Sequence, residues 1–498
     1  MRTFPFLLIL VAFTPVIAVS QVGIGTTNPV TSSILDLTST GKGLLLPRMT
    51  TAQRTALASP VDGLLVYDTD VDAVYLYRNG AWSPSLNGST GWALSGNDGV
   101  TTSNFVGPNS STPLYFKVNG LQSGVLHPTS FNTAFGYDVM SLITTGYSNV
   151  AIGTRALYRN RTAPNIVAVG DSALYNNGYS VAGDQGRMNT AVGSKSAFSN
   201  TTGYRNTSVG FHSLYSNVSG YSNTAGGCEA LYSNNSGDYN AGFGYRALFG
   251  NSTGNNNTGV GYDALYTNTS GGSNVAIGTS AMYANTTGAS NVAVGVDALE
   301  AITIADNNVA VGASALKDDT SGTRNAAVGY SSLRYNLTGS DNVAMGAYSL
   351  FNNTAGSSNV SLGRTSMYYN ETGFSNIAIG PRALYRNTVK SNIVAVGDSA
   401  LYWNGYGATA AQGIYNSAVG SKALFSNTTG HGNTAFGYRS MYLTNSGYGN
   451  VAVGNSALYS NTTGYNNVAV GADALYNNTT GHDNMAIGFQ ALEGNETG

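Results

Sequence analysis

Asn274-Val275-Ala276-Ile277-Gly278-Thr279-Ser280-Ala281-Met282-Tyr283-Ala284-Asn285-Thr286-Thr287-Gly288-Ala289-Ser290 is followed at once by a near copy that opens Asn291-Val292-Ala293-Val294-Gly295. The glycine that closes this opening phrase recurs at Gly136, Gly153, Gly170, Gly193, Gly210 and onward to Gly488, twenty-one times in all. Of the twenty steps between consecutive glycines, eighteen are 17 residues (295 − 278 = 17) and two are 23 (193 − 170 and 420 − 397). A fixed period of this size marks a solenoid, in which each repeat is one supersecondary unit stacked on its neighbours. The expected fold class is all-β: a parallel β-roll or β-solenoid of about 21 coils with a 17-residue period, preceded by a small β-rich region.

Position by position, the residue before the glycine is large and apolar (Ile152, Val169, Phe243), the one before that is small (Ala151, Ala168, Gly242), and Val or Thr precedes both (Val150, Thr258). Period-2 alternation sets the two large residues on one face of a strand and the small one on the other. A second strand is expected three to five residues after the glycine, as in Ala264-Leu265-Tyr266. Asn seven residues on and Gly ten on, such as Asn268 and Gly271, supply turns. The structural repeat positions are therefore Asn149 with Gly153, Asn274 with Gly278, and Asn291 with Gly295; position 451, where Val451 stands, is given no role. Stacked in register, these asparagines could hydrogen-bond from coil to coil, besides serving as turn residues. Coils spaced by about 4.8 Å would make a rod roughly 100 Å long.

Burying two Val and one Leu per coil falls short of the cost of ordering seventeen residues. The face carrying the small residues and the tyrosine row is therefore expected to be buried against other chains, in a parallel homotrimer. Charged residues are 9% of the 498, and 22 basic against 24 acidic side chains leave a net charge of −2, so no basic stripe exists for nucleic acid.

The N-terminus reads as a secretory signal over residues 1–20: Arg2, an apolar run from Phe6 to Val19, and Ala18-Val19-Ser20 before Gln21. Export to the cell surface, in association with the outer membrane, is the expected localisation. Residues 21–126 carry no repeat. They offer short strands at Val22–Gly25, Ser33–Leu37, Gly63–Tyr67 and Ala73–Tyr77, with a hairpin turn at Asn79-Gly80. A short helix is expected between Met49 and Ala58 with Thr50 or Thr51 as its cap, and another strand at Leu114–Val118 before Asn119-Gly120. Residues 127–498 are the repeat domain, and the chain stops at Gly498 in mid-coil, which reads as a truncation.

Asn149-Val150-Ala151-Ile152-Gly153, Asn274-Val275-Ala276-Ile277-Gly278 and Asn376-Ile377-Ala378-Ile379-Gly380 resemble the head repeats of YadA-like trimeric autotransporter adhesins. The likeness covers about residues 131 to 498 and implies a left-handed parallel β-roll, a homotrimer and adhesion to an extracellular ligand such as a glycan or matrix protein. It departs from that family in its longer period and in the aromatic residue after Leu. Gly23-Ile24-Gly25-Thr26-Thr27-Asn28-Pro29, Gly43-Leu44-Leu45-Leu46-Pro47-Arg48-Met49 and Asn104-Phe105-Val106-Gly107 resemble the lead segment of bacterial tail-fibre-like surface proteins.

No catalytic, metal or cofactor residues are assigned. His127, His212, His431 and His482 stand singly, without metal-ligand spacing, and Cys228 is the only cysteine, read as a small buried or half-buried side chain. Asp171, Asp263, Asp297, Asp398 and Asp473 recur near the repeat glycine, but the Gly-Gly-x-Gly-x-Asp pattern of calcium rolls is absent. Asn200-Thr201-Thr202 matches a glycosylation acceptor only formally, as a by-product of the turn. The two long steps insert six residues each, near Gly178–Met188 and Gly405–Tyr415, inside a segment duplicated 227 residues apart (397 − 170). They read first as a bulge copied once, with a contact loop as the alternative. The expected function is a secreted fibrous adhesin, non-catalytic. An ice-binding solenoid, a tail-fibre-like spacer and a polysaccharide-acting enzyme are the alternatives.

Overall fold

A computed structural model describes residues 21–85, 106–108, 110–179, 185–409 and 411–498. The expected signal segment, residues 1–20, lies outside them, as do Asn104 and Phe105. Two compact units divide at Gly107 and Pro108.

In the first unit β1 (Val22–Ile24) pairs in parallel with β2 (Leu35–Leu37). A four-stranded sheet combines β3 (Arg48–Met49), β4 (Leu65–Asp68), β5 (Ala73–Arg78) and β6 (Ala81–Pro84), the last two joined through the expected Asn79-Gly80 turn. Helix α1 (Thr51–Thr55) is capped by Thr50, whose hydroxyl accepts the Gln53 amide while the Gln53 side chain accepts the Thr50 amide, a reciprocal capping box. Its Arg54 is buried, donating to Asp68 at 2.8 Å with its guanidinium stacked 3.6 Å from the centre of the Tyr75 ring.

The second unit is the solenoid. A hairpin, β7 (Leu114–Val118) and β8 (Leu121–His127), pairs antiparallel with β9 (Asn132–Phe135) and so covers the first coil's edge. From β9 through β10 (Val150–Ile152) to β29 (Met485–Ile487), every coil contributes one strand to a continuous parallel sheet. Register is strict: Val275, Ala276 and Ile277 pair with Val292, Ala293 and Val294. Both 23-residue coils keep it, since Val167 pairs with Thr190 and Val394 with Ser417.

Two expectations fail here, for physical reasons. The segment expected as a second strand is a run of turns. Within it the backbone becomes left-handed at Asp263 (φ 54°) and again at Leu265 (φ 54°), and the buried Leu and Met residues at the latter position all lie between 45° and 58°. Stacking sustains this unfavourable conformation: Met282 N–H donates to Ala298 O at 3.0 Å in the next coil, while Ser280 N–H donates back to Tyr262 O at 2.9 Å.

The second failure concerns which face points inward. The small residue is interior and the large ones are exterior. In coil 274–290 the buried residues are Asn274, Ala276, Ala281, Met282, Asn285 and Gly288, whereas Val275 is half-buried and Ile277 exposed. A 17-residue loop encloses room for one long side chain between two alanines, so a Val pair has no space inside. The small-residue face is thus the protein's own core and not a surface between chains. The tyrosines lie outside it.

Candidate functional surface

Around this thin core the sequence builds four longitudinal columns. The first contains Asn149, Asn274 and Asn291, each completely buried. Asn274 Oδ1 accepts the Asn291 backbone N–H at 3.0 Å, and Asn274 Nδ2 donates to Gly288 O at 2.8 Å. Asn149 likewise accepts Ile166 N–H at 3.0 Å. These amides therefore bond to the neighbouring backbone. Part of this column also bonds side chain to side chain, as Asn342 Nδ2 does to Asn325 Oδ1 at 3.2 Å and Asn450 Nδ2 to Asn433 Oδ1 at 3.1 Å. A tighter side-chain ladder runs in the second column, seven residues after the glycine: Asn285 Nδ2 donates to Asn268 Oδ1 at 2.7 Å, and Asn268 Nδ2 donates to Asn251 Oδ1 at 2.7 Å. Most buried asparagine amides are paired in this way, with Asn285 Oδ1, Asn387 Oδ1 and Asn427 Oδ1 as exceptions. Asn200 belongs to the same column and is 1% exposed, so its amide is not presented for glycosylation.

The third column is aromatic and lies five residues after the glycine. Tyr232, Phe249, Tyr266 and Tyr283 stack with centroids 5.1 Å apart and interplanar angles of 5° to 12°. The spacing follows from the sheet repeat, which sets parallel rings near their preferred contact. One stacked run extends from Tyr158 to Tyr283 and another from Phe351 to Tyr476. Between them stand Glu300, Lys317 and Arg334, where Lys317 Nζ meets Glu300 at 2.8 Å and Asp297 at 2.9 Å. The paired carboxylates hold the Lys317 ammonium above its usual range.

The fourth column is the outer strand face, with residues such as Ile152, Val209, Phe243 and Ile277 exposed along the sheet. Others in the same column, such as Val169, Val260 and Val294, are half-buried, and Gly226 interrupts it, so the face is apolar along its length with exposed and partly covered members.

Both insertions leave the rod at the same place. In an ordinary coil two residues separate Asn200 from Gly203, whose carbonyl accepts Asn200 Nδ2 at 2.9 Å. In the long coils eight residues lie between Asn177 and Gly186 and between Asn404 and Gly413, yet the closing bonds persist at 2.8 Å each. Both long coils therefore close on the core as an ordinary coil does. The second insertion is tied down by Lys390, 2% exposed, whose ammonium donates to Ala408 O at 3.3 Å and also to Thr409 O. Tyr179 and Tyr406, related by the 227-residue duplication (406 − 179), sit at equivalent places in the two excursions.

Among the described residues no group of three or more His, Cys, Asp or Glu is arranged to hold a metal ion. Cys228 is half-buried, and burial pushes its thiol above the usual range. His212 packs 3.7 Å from the Phe211 ring, and burial lowers its pKa. His431 and His482 end a short ring column with Tyr448 and Tyr465, and His127 accepts the Ser130 amide at 3.3 Å. No described helix is long and apolar enough to cross a membrane.

Residues 23–102 match the family described as phage tail-like trimerisation region, over the segment whose sequence resembles tail-fibre-like proteins. No curated protein and no solved structure matches the chain.

Proposed function

We propose that this chain forms a secreted, surface-displayed homotrimeric fibre that adheres to extracellular surfaces and performs no catalysis. The observation that carries the reading is a trimerisation-like segment, residues 23–102, placed ahead of a 21-strand parallel solenoid. Three chains gathered at that segment would bring three solenoids side by side. The outer ribbon of Val, Ile and Phe is the face suited to pack them, which replaces the small-residue face expected from sequence. Polar and aromatic columns repeated every coil then suit weak attachment multiplied along a fibre. A YadA-like head fits this reading through its Asn-Val-Ala-Ile-Gly phrases.

Sedimentation of the purified chain tests the assembly: a trimer of the 51.4 kDa chain gives 154 kDa (3 × 51.4). A stable monomer, or a trimer that survives Ile277→Lys combined with Val294→Lys, sinks this packing. Binding of protein-coated beads to glycan, matrix-protein and mineral surfaces tests adhesion, and beads retained on none of them end that part of the reading.

An ice-binding role is less well supported. Thr286 Oγ1 donates to Thr303 O at 2.9 Å and Thr462 Oγ1 to Thr479 O at 3.1 Å, so the turn hydroxyls are used along the rod. Thermal hysteresis in the purified protein would favour that role over adhesion.

A further inference from the structure

We infer that the insertion loops complete two related binding sites for acidic polysaccharide, the fuller one at the second loop, an inference that rests on the adhesive reading and names its ligand class. The evidence is clearest at the second loop. Arg386 lies six residues after its repeat glycine, in the coil between those of Tyr369 and Trp403, which occupy the same position before and after it. Its guanidinium is 4.9 Å from the Tyr369 centroid and 5.1 Å from that of Trp403. Tyr406, the exposed aromatic residue of the inserted loop, closes the group at 5.7 Å from the guanidinium and 5.5 Å from Trp403. The duplicated locus keeps the arginine and the loop tyrosine, with Arg159 4.9 Å from the Tyr179 ring and 5.8 Å from Tyr175, but carries Leu142 and Asn176 where Tyr369 and Trp403 stand.

A guanidinium stacked between rings has its two faces covered, and its N–H groups point out along the plane. Some arginines of the rod are matched by carboxylates, as Arg246 is by Asp263 at 3.0 Å and Arg324 by Asp341 at 2.6 Å, whereas Arg334 and Arg439 share with Arg386 a buried, unsatisfied Nε; what sets Arg386 apart is the inserted loop beside it. Among the described residues Arg386 has no carboxylate or hydrogen-bond partner, and its buried Nε is unsatisfied. An unmatched fork of donors is complementary to a carboxylate or sulfate. Beside it, the exposed ring of Tyr406 and the half-buried ring of Trp403 offer amphipathic platforms for the C–H face of a sugar. Acidic sugar units supply both chemistries at once. The sites lie thirteen coils apart, since 227 = 12 × 17 + 23, or about 60 Å at the sheet spacing, a separation that only a polymer or a surface would bridge.

The competing explanation is that the arginines only clamp the loops to the rod. Full-length protein is tested by interferometry on immobilised polygalacturonate, dextran sulfate and neutral dextran. Polygalacturonate and dextran sulfate separate carboxylate from sulfate recognition. Retention on either acidic polymer, weakened at least tenfold in Arg159→Ala/Arg386→Ala and in Trp403→Ala/Tyr406→Ala, supports the sites, provided the thermal transition is unchanged. Arg439→Ala is the control, because Arg439 also stacks on Tyr438 and Tyr442 but has no loop beside it. Equal retention on neutral dextran, undiminished binding in the arginine double variant, or no binding to either acidic polymer overturns the inference. If protein-coated beads still adhere to other surfaces after such a result, the sites fail alone and the adhesive reading stands.

Discussion

A β-carbon on Gly278 would lie 2.4 Å from the carbonyl oxygen of Gly295 in the next coil. The same glycine has φ of 135°, a conformation nearly closed to other residues. Two independent constraints, space and backbone, therefore fall on one position that recurs in every coil. Gly278→Ala is expected to cost on the order of 3 kcal/mol locally. It should raise amide exchange across Val275–Val294. Gly494→Ala, whose added β-carbon meets nothing within 4 Å, is the control and should leave exchange unchanged. Equal behaviour of the two variants would refute the argument.

Asp319 occupies the amide column seven residues after Gly312, following Ile302. It is fully buried; its Oδ1 accepts Gly322 N–H at 2.7 Å and its Oδ2 accepts from Asn325 Nδ2 at 3.3 Å. Burial outweighs these bonds and pushes the carboxyl up from 3.8 to about 7. The folded state thus holds its proton more tightly than the unfolded chain. Its contribution is fully present below about pH 4 and is lost as pH rises towards 7, roughly 4 kcal/mol in total. Asp319→Asn should flatten this slope, read by exchange of the Leu316–Asn325 amides at pH 5 and pH 8 after correction for intrinsic rates. The same slope in the variant would assign it elsewhere.

Tyr266 stacks 5.1 Å from both Phe249 and Tyr283. Phenylalanine already occupies this column at Phe198, Phe249, Phe351 and Phe425, so the ring and not the hydroxyl makes the contact. Tyr266→Phe should be neutral within about 0.5 kcal/mol and Tyr266→Ala should cost about 2 kcal/mol, measured by denaturant unfolding. A neutral alanine variant would show that the column adds nothing to the rod.

Lys390 replaces the glycine found at this position in most coils, and burial lowers its pKa. Its ammonium anchors the second insertion through the Ala408 and Thr409 carbonyls. Lys390→Met keeps the apolar stem and removes the donors, so limited proteolysis between Gly405 and Gly413 should accelerate several-fold while the core transition stays within a few degrees. Cleavage at the wild-type rate would mean that the Asn404–Gly413 closure alone holds the loop.

Much of the architecture was legible because a stacked repeat writes each column many times. The Asn274 and Gly278 columns, the parallel register and the coil count follow from the spacing, and α1 with its Thr50 cap follows from local capping chemistry. The aromatic run Tyr158–Tyr283 was visible as a row, though its ring stacking depends on register. The Arg386 group was not legible, because Tyr369, Trp403 and Tyr406 meet it only across three coils and an insertion. Left-handed Leu265 and Met282 were equally hidden, since no propensity favours that backbone for them.

By itself the sequence determined the period, the strand that ends at each repeat glycine and the in-register stacking, since each is a matter of order along the chain; that the Ala264–Tyr266 segment is turn and not a second strand came only with the structure. Only the tertiary structure decided which side of that strand is inside. Hydrophobicity favours burying Val275 and Ile277, but a coil of seventeen residues closes too tightly for them and takes Ala276 beside Met282 instead. Volume at the axis overrode transfer free energy, leaving the larger apolar residues on the outside.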